Sequence, residues 1–176
     1  MSDQDTALDV RLSDRHDWLV GNYGARCTLV SAASVLQLLG AKAAPKRLVR
    51  ILEEHTRWKE NARSLSELLP FWLSYLGRLD RGIEAAARAG GIEVKSKTTF
   101  IFGMRKIQKA INSGSGVVLN CIWAPSGSFS HSVVAFGYRK GTRQVLTLDP
   151  NDATERWTRK RRHICSVTII SAPQGQ

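Results

Sequence analysis

The sequence predicts an α+β fold, with helices in the front half of the chain and an antiparallel sheet in the back half. Two observations carry this. Up to about residue 112 the apolar residues recur mostly at helical spacing; from Gly116 onward they fall in short β-rich runs separated by turn residues. Helices and strands segregated in this way argue α+β. Nothing in the 176 residues repeats or reads as a linker, so one domain spanning 1–176 is expected, long enough to bury a sizeable core. Residues 1–10 and 173–176 are expected to be flexible ends.

The clearest helix covers residues 25–39. Thr28, Ser31, Ser34 and Gln37 recur every third position and wind slowly around it, while every other position from Cys27 onward is apolar. A helix so apolar around its circumference is expected at the centre of the molecule. Gly40 is a natural stop. Residues 43–56 form a second, amphipathic helix through Leu48, Ile51 and Leu52. Ser64 with Glu67 three positions on matches a capping box and opens a third, in which Pro70 predicts a kink or break. Residues 80–89 read as a short Ala-rich helix ended by Gly90 and Gly91, 92–98 as a short strand, and 103–112 as a helix using Met104, Ile107 and Ile111. The β-rich runs are 116–123, 132–138, 144–148 and 164–170. Lys140-Gly141-Thr142 is the expected hairpin turn between the second and third.

Composition excludes several classes. With 43% apolar and 23% charged residues the chain is globular rather than disordered. No apolar run approaches the roughly 18–20 residues that span a bilayer, so no membrane span is expected. No basic region followed by an apolar stretch marks a Sec signal peptide, so the chain is expected to be cytoplasmic at synthesis. The three cysteines, Cys27, Cys121 and Cys165, are an odd and widely spaced set, a poor disulfide framework. No close Cys or His pair suggests a metal site, and no cofactor is expected. Cys121 and Cys165 lie inside apolar strand runs and read as small buried hydrophobes. The net charge is +11, with a dense run at Arg156, Arg159, Lys160, Arg161 and Arg162. Such a run is ordinarily solvated surface, though it could meet an acidic or nucleic-acid-associated protein. The five Trp are scattered rather than interleaved with it as stacking platforms.

Three distant residues suggest one site. Cys27 stands where an irregular stretch, Asn22-Tyr23-Gly24-Ala25-Arg26, runs into the apolar helix. A helix start offers unpaired N–H groups and the positive end of a dipole, which stabilise a thiolate. Gly24 permits a tight turn before it. His131 follows a Gly/Ser-rich loop and opens the apolar strand Val133-Val134-Ala135-Phe136, where a side chain is exposed yet rigidly held. His16, His55 and His163 lie in polar or basic surroundings and read as surface residues. Asp149, before Pro150, ends the next strand, within possible reach of the His131 ring. A carboxylate there would orient the imidazole and stabilise its protonated form. Thiol, imidazole and carboxylate in this order are the logic of nucleophilic cysteine catalysis.

The same segments resemble a known family. Cys27 leads a helix with small residues; Ile107-Gln108-Lys109-Ala110-Ile111-Asn112-Ser113-Gly114 precedes the apolar Val117-Val118-Leu119; His131 leads a strand ending in Gly137-Tyr138; Leu148-Asp149-Pro150 ends another, with Trp157 shortly after. The pattern is similar to the papain-like cysteine peptidases, most closely to the bacterial bacteriocin-processing peptidases that remove leader peptides. It covers about residues 21–37 and 107–157; the stretch 41–100 matches nothing in the pattern. The resemblance implies a papain-like fold and a Cys-His-Asp triad that cleaves a protein or peptide substrate through a thioacyl-enzyme. In such enzymes a Gln or Asn six positions before the Cys donates to the oxyanion. Here that position is Gly21, and Asn22, five before, is assigned the role. The resemblance also reaches bacterial effectors and toxins, so a free-standing effector or toxin domain is a further expectation. It could be delivered by a specialised secretion system and matched by an inhibitor or immunity protein. Two alternatives stay open: a glutamine deamidase or transglutaminase-like effector on the same triad, and a basic binding protein without catalysis.

Overall fold

A computed structural model describes residues 5–7, 26–57, 68–100, 103–122, 130–151, 155–159 and 164–173, with backbone alone at 5–7, 68–76, 121–122, 130, 158–159 and 164–165. In chain order the elements are β1 (Asp5–Ala7), α1 (Cys27–Leu38), α2 (Pro45–Thr56), α3 (Leu68–Ala89), β2 (Lys95–Thr99), α4 (Met104–Asn112), β3 (Gly116–Ile122), β4 (Ser130–Arg139), β5 (Gln144–Leu148), β6 (Glu155–Arg159) and β7 (Ile164–Ser171). The strands form one sheet in the order β2-β7-β3-β4-β5-β6, and every pairing is antiparallel. β1 pairs with the far end of β4, at Gly137 to Arg139, beyond the stretch that β3 occupies. The α+β reading therefore holds.

α1 lies at the centre. Leu29, Val30, Ala32, Ala33, Val35 and Leu36 are all buried between the sheet and the pair α2 and α3. The two serines on this apolar helix are satisfied without water. Ser31 Oγ donates to the Ser132 carbonyl at 3.1 Å and Ser34 Oγ to the Val30 carbonyl at 2.7 Å. Gly40 ends the segment with a φ of +95°, where a side chain would be strained. Gly116 has a different role. A β-carbon there would run into the Val35 side chain, so its absence sets how closely α1 approaches β3. The core on this side joins α1, α2 and α3 to Val118, Val134, Phe136, Leu148 and Ile170 of the sheet. α4 covers the opposite face, packing Ile107, Ala110 and Ile111 onto Val117, Leu119, Ala135 and Val167. Fully burying one such aliphatic side chain contributes roughly 1.5–3 kcal/mol.

Four expectations need correction. Pro70 neither kinks nor breaks a helix: α3 begins at Leu68, so the proline occupies the first turn, where its missing N–H has no partner to lose. The separate helix at 80–89 is the last part of that same α3, which ends at Gly90 and Gly91 as expected. Residues 5–7, placed in a flexible end, form β1 on β4. Residues 155–159, not read as a strand, form the edge strand β6, because an edge tolerates charged side chains that a central strand would not. The Ser64 and Glu67 capping pair lies outside the described residues.

Candidate active site

The site is built where the first turn of α1 meets the ends of β4 and β5. Arg26 is the N-cap of α1, and its carbonyl accepts from Val30 N at 3.0 Å. Its side chain reaches sideways instead of capping: Nε lies 2.8 Å from Glu53 Oε1 on α2, an ionic contact rather than an aligned hydrogen bond. The entry to the helix is thus tied to its neighbour. Cys27 follows as the first helical residue, with 4% of its surface exposed.

His131 is the second residue of β4, and Asp149 comes one position after β5. β4 and β5 pair with Val134 opposite Leu148, which carries the carboxylate back alongside the ring. His131 Nε2 donates to Asp149 Oδ1 at 2.9 Å. On its other side the ring hydrogen-bonds the Cys27 thiol. With Nε2 on the carboxylate, Nδ1 is the nitrogen left for the sulfur. All three residues singled out in the sequence are therefore contiguous, although Cys27 comes from the helical layer and the other two from the sheet.

Further residues surround them. Asn151 N donates to Asp149 Oδ1 at 2.9 Å, and the Asn151 amide lies 3.4 Å from His131 Nε2. Arg156 Nη1 on β6 is 3.8 Å from Asp149 Oδ2. Ser132 hydrogen-bonds the Cys27 sulfur through both its backbone and its hydroxyl. Sequence reasoning singled out none of these as site residues. For Ser132 a signal existed: it is a polar residue on the strand face that buries Val134 and Phe136.

The electrostatics follow from these contacts. Burial alone would push the Cys27 thiol up. It is outweighed by the hydrogen bond from His131, by that ring's charge and by the donors of Ser132, so the thiol ends below its ordinary range. The hydrogen bonds to Asp149 and Cys27 raise His131 to about 9 against the opposing effect of burial. The two shifts point the same way, each favouring the charged form, a thiolate beside an imidazolium. Among the described residues no group of three His, Cys, Asp or Glu could hold a metal ion, and no helix is long and apolar enough to cross a membrane. Asn22, the side chains of Cys121 and Cys165, and residues 160–162 of the basic run lie outside the described residues.

A mixed fold with a thiol at the start of a central helix and an imidazole–carboxylate pair on the facing sheet defines the papain-like class. The chain matches the model of the Peptidase_C39 like family over residues 7–167. It belongs to that family and is a cysteine peptidase, similar to the bacteriocin-processing enzymes as the motifs implied. No curated protein matches it. Two solved structures share its fold. One, described as a C39-like peptidase from Bacillus anthracis, is 13% identical with a TM-score of 0.61, the match covering 97% of this chain and 99% of that one. The other is the peptidase domain of Streptococcus ComA, a bi-functional ABC transporter involved in a quorum-sensing pathway. It is 17% identical with a TM-score of 0.52, over 90% of this chain and 100% of that domain.

Proposed function

We propose that this peptidase cleaves a protein or peptide substrate through Cys27, His131 and Asp149. The observation that carries the reading is the His131 ring, hydrogen-bonded to the Cys27 thiol on one side and to Asp149 on the other. The Cys27 thiolate attacks the scissile carbonyl carbon, and the carbonyl electrons move onto oxygen. The Cys27 backbone N–H and the Asn22 amide hold that oxyanion. As the tetrahedral species collapses, the C–N bond breaks and His131 gives its proton to the departing amine. Water then attacks the thioester, His131 takes its proton, and the carboxylic acid leaves as the thiolate reforms. Asp149 keeps the ring in place and favours its protonated form throughout.

The test is proteomic. Active protein and a Cys27→Ala control are incubated with lysates of the producing cell, where a leader-processing role would act. Lysates of neighbouring cells test an effector or toxin role served by a secretion system. New N-termini that need Cys27 are the expected result. Gln-to-Glu mass changes without new N-termini would replace the reading with deamidation, and identical peptide sets from both proteins would remove catalysis by Cys27 altogether.

A further inference from the structure

On the helix-facing side of the sheet, polar side chains form one continuous row across four strands. Thr28 Oγ1 of α1 meets Ser132 Oγ of β4 at 2.7 Å, and Ser132 Oγ donates to Asn120 Oδ1 of β3 at 2.8 Å. Asn120 Nδ2 donates to Ser166 Oγ and Thr168 Oγ1 of β7 at 3.0 and 3.3 Å. Thr168 Oγ1 meets Thr98 Oγ1 of β2 at 2.9 Å, and Thr98 Oγ1 donates to Asp80 Oδ1 of α3 at 2.8 Å. Ser132, Asn120, Ser166 and Thr168 are buried. Val118, Val134 and Phe136 share this side, so apolar residues could fill it equally well. A buried polar row is unfavourable unless every member is satisfied.

Counting hydrogens gives the row a direction. A hydroxyl has one to donate. The Thr98 hydrogen goes to the carboxylate of Asp80, so that of Thr168 goes to Thr98. Thr168 can then only accept from Asn120, which turns the Asn120 NH2 toward β7 and its oxygen toward Ser132. The Ser132 hydrogen has three acceptors in reach, Asn120 Oδ1, Thr28 Oγ1 and the Cys27 sulfur; directed at Asn120, it leaves the Thr28 hydroxyl to donate to Ser132.

We propose that Ser132 is a positioning residue for the nucleophile: Asn120 holds its hydroxyl beside Cys27, and its hydrogen turns from Asn120 Oδ1 to the sulfur whenever the thiolate forms. This rests on the reading of Cys27 as the nucleophile. A hydrogen bond to a charged acceptor is about twice as strong as one to a neutral amide, so the turn is downhill only for the thiolate. The charged and titratable groups around Cys27 are few among the described residues. They are His131 of β4, Asp149 after β5 with Arg156 of β6 behind it, and Arg26 at the N-cap paired with Glu53 of α2. Cys121 of β3 is the register partner of His131.

The test reads the pH midpoint of Cys27 alkylation by iodoacetamide, followed on its peptide by mass spectrometry. The thiolate's ultraviolet absorbance, measured against Cys27→Ala, gives the same midpoint independently. Ser132→Ala is expected to raise it by about one pH unit, tenfold less thiolate below the midpoint. Ser132→Thr, which keeps the hydroxyl, should restore it. Thr28→Val removes the other hydroxyl at the same contact and should leave the midpoint in place. An unmoved midpoint in folded Ser132→Ala overturns the proposal. So does an equal rise in Thr28→Val, which would mean that packing at the first turn is responsible. Ser132→Gly replaces the alanine variant if that one does not fold. His131→Ala separates the two levels. If it leaves the midpoint unmoved, the ion pair itself is wrong. If it raises the midpoint and Ser132→Ala does not, only the role of Ser132 falls.

Discussion

His131 holds its proton to about 9, while the Cys27 thiol gives its proton up below the ordinary thiol range. The proposed mechanism needs both forms at once. The rate should therefore rise with pH as Cys27 ionises, earlier than an ordinary thiol would, and fall as pH passes about 9 and the imidazolium is lost. A profile of kcat/KM against pH checks this; a rate still climbing above pH 9 would contradict it. Asp149→Ala removes the hydrogen bond that does most to raise His131, so the alkaline limb should move to lower pH. Some activity should remain, whereas Cys27→Ala should leave none in a folded protein. Cys27, His131 and Asp149 could be picked out in the sequence as candidates because each is a reactive type at the end of an element. Ser132, Asn151 and Arg156 were not singled out: the contact of Ser132 depends on where α1 meets the sheet, and that of Arg156 on which strands become neighbours. Asn151 reaches Asp149 through a local turn, but Arg156 does so only because β6 pairs with β5.

At the scale of elements, the approach of α1 to β3 rests on one missing side chain. Gly116→Ala would drive a methyl group into Val35, forcing the helix or the strand to shift. Overpacking of this kind typically costs about 1–3 kcal/mol, and denaturant unfolding should show at least that loss. Because Cys27 rides on the same helix, alkylation of its thiol should also weaken toward that of an ordinary cysteine. The helices were readable wherever one face was consistently apolar, as in α2 and α4. α3 was divided in two on the strength of Pro70, although a proline in a first turn is harmless; only the position of the helix start decides between the two cases. β6 was hidden for a different reason. Glu155, Arg156 and Arg159 suppress the apolar signal of a strand whose Trp157 lies under the Arg139 guanidinium, 4.5 Å from ring centre.

Taken whole, the molecule is strongly cationic, with 26 Lys and Arg against 15 Asp and Glu. Exposed charge acts mainly on association, and salt screens it beyond about 8 Å at physiological ionic strength. Replacing Arg159, Lys160, Arg161 and Arg162 with Ser should slow cleavage of an acidic protein substrate at low salt, with the deficit shrinking as salt rises. A short neutral peptide should be cut at nearly the same rate by both proteins. Equal rates on the acidic substrate at every salt concentration would reduce the run to solvated surface. The helical layer carries Cys27 and the sheet carries His131 and Asp149. Neither layer holds an activated sulfur by itself. A chain still emerging from the ribosome, or one whose α1 has come loose, carries only a dormant thiol. On the proposed mechanism the competence to cut is thereby a property of finished molecules, and the acidity of one sulfur is a gauge of whether assembly is complete.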